Sequence, residues 1–250
     1  MNKVAVIILA AGKGSRMKSD LAKVLHRVAG KSMINHVIEA ATEVASNHIH
    51  VVVGHQADKV RKEIPKKYNV QFAFQKELLG TGDAVRVALP GVDACIQHVL
   101  VLCGDVPLIR KQTIADLVSA HRNLTSGLTV LAAKVSDPTG YGRIIKDNDG
   151  QLLAIREEAD ATDLEKQIDI VNSGIFCFEK QFLESGLGRI QNNNSQGEYY
   201  LTDLVAVAVQ DRVKTLVKII DDAEQVMGVN TIEQLTRINT AFHMVLNELS

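Results

Sequence analysis

Short apolar runs rich in β-branched residues alternate along the chain with longer segments whose apolar positions recur at helical spacing. "KVAVIIL", "HIHVVVG", "VQFAFQ" and "HVLVLCGD" are of the first kind, and "SMINHVIEAATEVA", "ADKVRKEI" and "GTGDAVRVAL" lie between them. Strand and helix in alternation predict an α/β fold with a mainly parallel sheet and helices on both faces. After "GLTVLAAKV" the texture changes, because "GRIIKDNDGQLLAIREE" reads as two strands joined by the turn "DNDG". A small peripheral antiparallel element is therefore expected. "VNSGIFCFE" is a further strand leading into a helix, and "NNNSQGEYYLTD" reads as an ordered surface loop. "LVAVAVQ" should start a helix behind a Thr202/Asp203 cap, "VKTLVKII" is a strand, and "NTIEQLTRINTAFHMVLNEL" is amphipathic at helical spacing. The hexapeptide periodicity of a β-helix is absent.

Composition narrows the function classes. A chain of 250 residues has room for one sizeable α/β unit and a modest appendage. With 46% hydrophobic and 23% charged residues and a formal net charge of -1, nothing draws the whole molecule to nucleic acid or anionic lipid. Any basic site must be local. The basic cluster "KVRKE" with "PKK", residues 59 to 67, reads as a solvated helix face, and His48 and His50 as surface or packing residues. The apolar runs fall far short of the ~20 residues of a membrane span. The first lysine precedes apolar residues as in a signal peptide, but glycines and charges follow at once. The 3 cysteines are widely spaced with no CxxC, which fits a reducing compartment without disulfides or zinc. A cytoplasmic protein without nucleic-acid or membrane partners is expected.

Ligands of open parallel sheets bind beyond the carboxyl ends of the strands, so the polar residues after each apolar run carry the candidate chemistry. In "LAAGKGSRM", Gly12 and Gly14 permit backbone geometries closed to other residues, while Lys13, Arg16 and Lys18 add positive charge. The loop suits a polyphosphate, or is a plain β-to-α turn with solvated lysines. Its spacing is neither GxGxxG nor GxxxxGK[ST], which excludes the dinucleotide and P-loop readings. Asp105 follows "HVLVLC", so its carboxylate should emerge at the same edge, as a hard oxygen ligand suited to magnesium or as a turn residue before Pro107. No Ser/His/Asp set, nucleophile elbow or paired-histidine metal motif is present. A cationic glycine loop and a cation ligand on one edge favour nucleoside triphosphate chemistry.

The motifs "LAAGKGSRM", "KVLH", "GTGDA", "GDVPL", "DPTGYGRI", "VNSGI", "QGEYYLTD" and "GVN" occur in that order. Over residues 3 to 230 the chain closely resembles the uridylyltransferase half of bacterial bifunctional N-acetylglucosamine-1-phosphate uridylyltransferase / glucosamine-1-phosphate acetyltransferases. The first motif is generic to nucleotidyltransferases, whereas "DPTGYGRI" and "QGEYYLTD" are narrower. The resemblance implies a Rossmann-like nucleotidyltransferase fold. It also implies a magnesium-dependent reaction of UTP with N-acetylglucosamine 1-phosphate, giving UDP-N-acetylglucosamine and pyrophosphate for cell-wall and lipopolysaccharide synthesis.

What the resemblance implies for residues follows position by position. Leu9, Ala10, Ala11, Gly12, Lys13, Gly14 and Arg16 would hold the nucleotide, and Lys23 would reach its phosphates. Gln75 would contact the base, with Gly80 and Thr81 completing that pocket. Cys103 and Gly104 line the substrate wall, Asp105 and Asn230 match the metal-binding positions, and the sugar contacts fall on Gly142, Glu157 and Asn172. Arg16, Lys23 and Asp105 would be the catalytic residues. Two positions depart from the family. Ala22 stands where proline is usual, which loosens a fixed φ before Lys23, and Cys103 stands where some relatives have tyrosine. The expected division is a nucleotidyltransferase domain over residues 1 to 230, then a C-terminal helix over 231 to 250 leading to an absent hexapeptide-repeat half. No acetyltransferase activity is expected, and a monomer is favoured, with the exposed apolar face of the final helix as a self-association surface. The alternatives are a related sugar-1-phosphate or small-alcohol nucleotidyltransferase and a non-catalytic nucleotide-sugar sensor.

Overall fold

The computed structural model describes residues 4–45 and 48–248, with residues 241–248 described by their backbone alone. Lys3 and residues 249–250, which the expected first strand and final segment include, lie outside the described residues. Along β1 (Val4–Ala10) the side chains alternate between two cores. Val4, Val6, Ile8 and Ala10 enter one, Ala5 and Ile7 the other. A two-residue period with both faces covered makes the run apolar throughout.

A two-stranded hairpin, β2 (Arg27–Val28) and β3 (Lys31–Ser32), leads into α1 (Met33–Ala45), β4 (Ile49–Val53), α2 (Ala57–Glu63), β5 (Gln71–Phe74) and α3 (Thr81–Ala88). Then come β6 (His98–Cys103), α4 (Lys111–Asn123), β7 (Leu128–Lys134), β8 (Arg143–Lys146), β9 (Leu152–Arg156) and β10 (Ile170–Glu179). The chain continues through α5 (Lys180–Leu187), α6 (Leu204–Gln210), β11 (Thr215–Ile220) and α7 (Ile232–Glu248). The main sheet has the order β11-β7-β10-β6-β1-β4-β5. Its pairs are parallel except where β10 runs antiparallel between β6 and β7. Helices α1 and α4 cover one face and α3, α5 and α6 the other. The expected mainly parallel α/β sheet is present, with one reversed strand.

The predicted hairpin is β8 and β9, joined through the left-handed Gly150 (φ 78). It is continuous with the main sheet, because Arg143 of β8 pairs with Val171 of β10. The β2–β3 hairpin has no counterpart in the sequence reading. Its two-residue loop, Ala29 (φ 48) and Gly30 (φ 78), has the positive φ values of a type I′ turn, but two-residue strands are too short to show a period.

Two expectations are corrected. The segment before α6 is a turn of 3₁₀ helix, Leu201–Asp203, with no side-chain cap, because the Thr202 hydroxyl donates to Glu157 instead. The apolar face of α7 is not wholly exposed either. Leu235 and Ile238 pack against Val28, Met33 and Val229, and Asn239 accepts from Ala29 N–H (2.9 Å) and donates to the Arg27 carbonyl (3.1 Å). Elsewhere Lys59, Arg61 and Lys62 are exposed around buried Val60, and His50 is a buried packing residue. No helix among the described residues is long and apolar enough to cross a membrane.

Arg143 is the largest fully buried polar side chain. Its guanidinium donates to the carbonyls of Tyr141 and Lys166 and pairs with Glu158 at 2.8 Å, tying the loop before β8 to the segment after β9. Removing a buried charge partner leaves desolvated acceptors behind. Arg143→Ala should therefore cost about 3 kcal/mol in urea denaturation. Glu158→Gln, at a carboxylate one-third exposed, should cost under about 1 kcal/mol.

Candidate active site at the carboxyl edge of the sheet

Strands β1 and β6 run side by side and finish together, Leu9 opposite Cys103. Gly104 N–H donates to the Leu9 carbonyl (2.9 Å), and a Cβ at position 104 would lie 3.0 Å from that oxygen. A side chain there would have to push Leu9, Ile34 or Val24 back, so glycine favours the close approach of the Asp105 turn to β1. The Asp105 carbonyl accepts from Val229 N–H (2.9 Å), which brings Asn230 alongside. Asn230 is itself held at the head of α7 by a reciprocal cap. Gln234 Oε1 accepts from the Asn230 and Thr231 amides, and Thr231 Oγ1 accepts from Gln234 N–H.

The loop after β1 reaches the same place. Arg16 Nη2 donates to Asn230 Oδ1 (2.9 Å), and Lys23 Nζ donates to the same oxygen (3.1 Å) while pairing with Asp105. Gly14 has φ 66, and a Cβ there would meet Lys23 Cβ at 2.5 Å, so glycine is required for the loop to fold onto Lys23. Gly12 differs from the expectation. It has no positive φ and open space around a built Cβ, so nothing in its own conformation demands glycine. Lys13 is exposed and does not line the cavity described next. Ala22 has φ -53, the value proline would impose, and is 1% exposed.

A cavity of about 210 Å³ opens beside Asp105 and Asn230, lined among others by Leu9, Thr81, Cys103, Gly142, Glu157 and Asn172. A Cβ at Gly142 would stand 3.0 Å from Ile155 and 3.3 Å from Glu157 Oε2, so glycine makes room for that carboxylate. The Gly142 carbonyl accepts from Asn172 N–H (2.8 Å), and Asn172 Oδ1 accepts from Gly174 N–H (3.0 Å). Asn172 therefore offers a ligand its NH₂ group. A larger cavity of about 560 Å³, between α1, the start of α4 and α7, contains none of the sequence-predicted residues.

On the other side of Leu9, Ala10 and Ala11 complete the β1 terminus, and Gln75 follows β5. Gln75 is 3% exposed, and its NH₂ donates to the Gly80 carbonyl (3.1 Å) and Asp83 Oδ2 (2.8 Å), leaving Oε1 as its acceptor for a ligand. Gly80 (φ 110) lies so close to the loop before α6 that a Cβ would meet the Tyr199 carbonyl at 2.6 Å. Thr81 Oγ1 accepts from Leu201 N–H (3.0 Å). The contact of Thr202 with Glu157, the part played by Asp83 and the Thr231/Gln234 cap were not foreseen from the sequence. Only the cap had a local signal, the spacing T-x-x-Q before an apolar run. Among the described residues no group of three or more His, Cys, Asp or Glu is placed to hold a metal ion.

Polar and cationic side chains gathered at the carboxyl edge of a mainly parallel sheet define an open-sheet α/β protein with its ligand site at the strand ends. Residues 5–239 match the nucleotidyl transferase family, and the chain belongs to it. It is 46% identical over 237 residues to the bifunctional protein GlmU of Pelobacter propionicus, covering 95% of this chain and 52% of that one. The GlmU of Geobacter metallireducens is 47% identical over 235 residues, 94% of this chain and 49% of the relative. That of Desulfotalea psychrophila is 41% identical over 246 residues, 98% and 72%. The chain thus spans about half the length of most of these relatives. A crystal structure of a putative glucose-1-phosphate thymidylyltransferase from Bacillus anthracis, in complex with a sucrose, shares the fold. Its TM-score is 0.72 at 20% identity, with 95% of this chain and 94% of that chain covered.

Electrostatics separate the acids of the site. Burial raises the Glu157 carboxyl above the ordinary range, partly opposed by the Thr202 hydroxyl (2.9 Å) and reinforced by Asp203, Asp160 and Glu198. The folded chain then holds this proton more tightly than the unfolded one, so the stability tied to Glu157 is greatest at low pH. It falls as pH rises from the ordinary carboxylate value through the raised one. Glu157→Gln should match wild type in melting temperature near about pH 4 and exceed it progressively towards about pH 8; a constant difference would contradict the raised value. Burial also lifts the Cys103 thiol to about 12 and raises that of Cys177, whereas Cys95 is exposed. Thiolate is the reactive form. Iodoacetamide at about pH 8 should alkylate Cys95 and spare the other two, as read by peptide mass spectrometry.

Proposed function

We propose that this chain transfers UMP from UTP to N-acetylglucosamine 1-phosphate, releasing pyrophosphate and forming UDP-N-acetylglucosamine. The observation that carries the reading is the meeting of Arg16, Lys23, Asp105 and Asn230 beside a cavity lined by Gly142, Glu157 and Asn172. The likeness to GlmU proteins over 95% of the chain supports the choice of substrates. In this reading residues 1 to 230 carry the site, and the segment from 231 serves it through the cap that holds Asn230.

A phosphate monoester has its second pKa near about 6 and is mostly dianionic at neutral pH, so the attacking oxygen needs no general base. The protein's work is orientation and charge neutralisation. The Gly14 loop, Arg16 and Lys23 bind the triphosphate, and both cations face the charge that moves to the departing pyrophosphate during in-line attack at the α-phosphorus. Gln75 Oε1 accepts from the single N–H of uracil. Glu157 and the Asn172 NH₂ take up sugar hydroxyls and the acetamido group, with Gly142 and Cys103 as the wall.

The residues also fit magnesium. One ammonium reaches both Asp105 and Asn230 Oδ1, so the two oxygens converge within the span of a single cation. Two hard protein oxygens, with the rest left to phosphate and water, is the mode this ion favours. When bound, it would neutralise phosphate oxygens of the nucleotide.

Supplied with UTP, magnesium and N-acetylglucosamine 1-phosphate, the protein should release pyrophosphate, with CTP and glucose 1-phosphate as poorer substrates. A preference for CTP would overturn the uracil assignment. Asp105→Asn should lower turnover by about 100-fold or more while the protein still folds and unfolds cooperatively, with a modest fall in melting temperature from the lost Lys23 pair; unchanged turnover would remove Asp105 from the metal site.

A further inference from the structure

The segment from Gly12 to Lys23 must deliver Arg16 and Lys23 to one place, yet it contains little regular structure. Its start and its end are both gripped by the corner between β4 and α2. At the start, His55 N–H donates to the Ala11 carbonyl (3.0 Å), and Gly54 lies so close that a Cβ would meet Ala11 at 3.0 Å. At the end, Gln56 uses both halves of its carboxamide. Its Oε1 accepts from Ala22 N–H (3.2 Å), and its NH₂ donates to the Asp20 carbonyl.

The residue immediately after Ala22 is Lys23, which begins a turn closed by Leu25 N–H on the Ala22 carbonyl (2.9 Å) and anchored by buried Val24 and Leu25. The backbone setting of Ala22, φ -53 and ψ 134, therefore decides where the Lys23 side chain starts. Gln56 itself sits in the left-handed region (φ 53) as the first residue of the α2 corner, and its carbonyl accepts from the Lys59 and Val60 amides. A left-handed position favours glycine or asparagine. Glutamine there has the reach to bridge from the corner to Asp20 and Ala22.

We propose that Gln56 is a positioning residue for the phosphate loop: its side chain clamps the backbone at Asp20 and Ala22, and through them fixes Lys23 opposite Asp105 and Asn230. Gln56 touches no reacting atom. The kinetic part of this inference rests on the proposed function, whereas the clamp itself is a property of the fold.

Gln56→Asn separates the two roles of the residue, because asparagine suits the left-handed corner but is one carbon too short to hold both partners. Amide exchange and pyrophosphate release are measured on wild type, Gln56→Asn and Gln56→Asn/Ala22→Pro. Proline fixes φ near about -65° without a donor, so it should replace the clamp once the shorter side chain no longer occupies that space. Expected are at least tenfold faster exchange of the Ala22 amide in Gln56→Asn and a roughly tenfold fall in kcat with little change in melting temperature. Recovery to within about threefold of wild type is expected in the double variant. Unchanged exchange at Ala22 overturns the clamp, whatever the activity. Faster exchange with kcat within twofold of wild type, or a loss that proline does not relieve, overturns the link from the clamp to Lys23. If wild type releases no pyrophosphate from any nucleoside triphosphate, the proposed function fails, and the exchange rates alone still decide the clamp.

Discussion

A single amide oxygen, Oδ1 of Asn230, accepts from both Arg16 and Lys23, while Lys23 also pairs with Asp105. Two cations drawn to one neutral oxygen repel each other, and one carboxylate does not balance them. Arg16 is exposed, so water screens part of this repulsion, and what is left favours an anion beside the two cations. On the proposed reading that anion is a polyphosphate. The rest of the edge follows from the need to bring residues more than two hundred positions apart into this contact: glycine at 104 so that the Asp105 turn can press on β1, glycine at 14 so that the loop can fold onto Lys23, and a capped helix start to fix Asn230.

The side that the proposed function gives to the sugar is built on the opposite sign, with acids gathered around Glu157 and one buried cation, Arg143, behind them. Arg143 draws the loop before β8 and the segment after β9 together from within the fold, and Gly142 then lets Glu157 stand against that loop without collision. Burial keeps the Glu157 proton affinity high, and Thr202, on the turn before α6, orients the carboxyl. On the proposed reading an acid of raised proton affinity in a tight wall suits hydroxyl recognition, just as the cations beside Asp105 suit phosphate.

The strands were legible because the covered faces force a continuous apolar run with a two-residue period, and Asp105 because an acid just after such a run must emerge at the sheet edge. Asn230, Glu157 and Asn172 were legible only through the family resemblance, since a turn asparagine, a hairpin acid and a strand-start amide carry no chemistry in isolation. Long-range hydrogen bonds stayed hidden for the same reason. Nothing near Thr202 points to a carboxyl 45 positions away, and nothing near Gln56 points to Ala22. Composition also could not say which glycine was needed: Gly14 is held by a positive φ and by Lys23, whereas Gly12 sits next to it in open space. The expected looseness from Ala22 meets a counterweight of the same kind, an N–H bond that proline could not make.

Gln75 shows how the helix that follows a residue can set the chemistry of its contact. Its NH₂ faces the Gly80 carbonyl and the Asp83 carboxylate, and Asp83 is steadied by Arg86 at 3.6 Å, whose guanidinium lies 4.8 Å from the Tyr199 ring centre. Turning the carboxamide over would set its oxygen against two acceptors, one of them charged, so the orientation is fixed by repulsion as much as by bonding. The outward group is then always the carbonyl oxygen. On the proposed reading that oxygen can accept from the ring N–H of uracil, whereas the corresponding ring nitrogen of cytosine carries no proton and would meet it lone pair to lone pair. The preference between the two bases is accordingly a property of α3, through Asp83, as much as of the residue that touches the base.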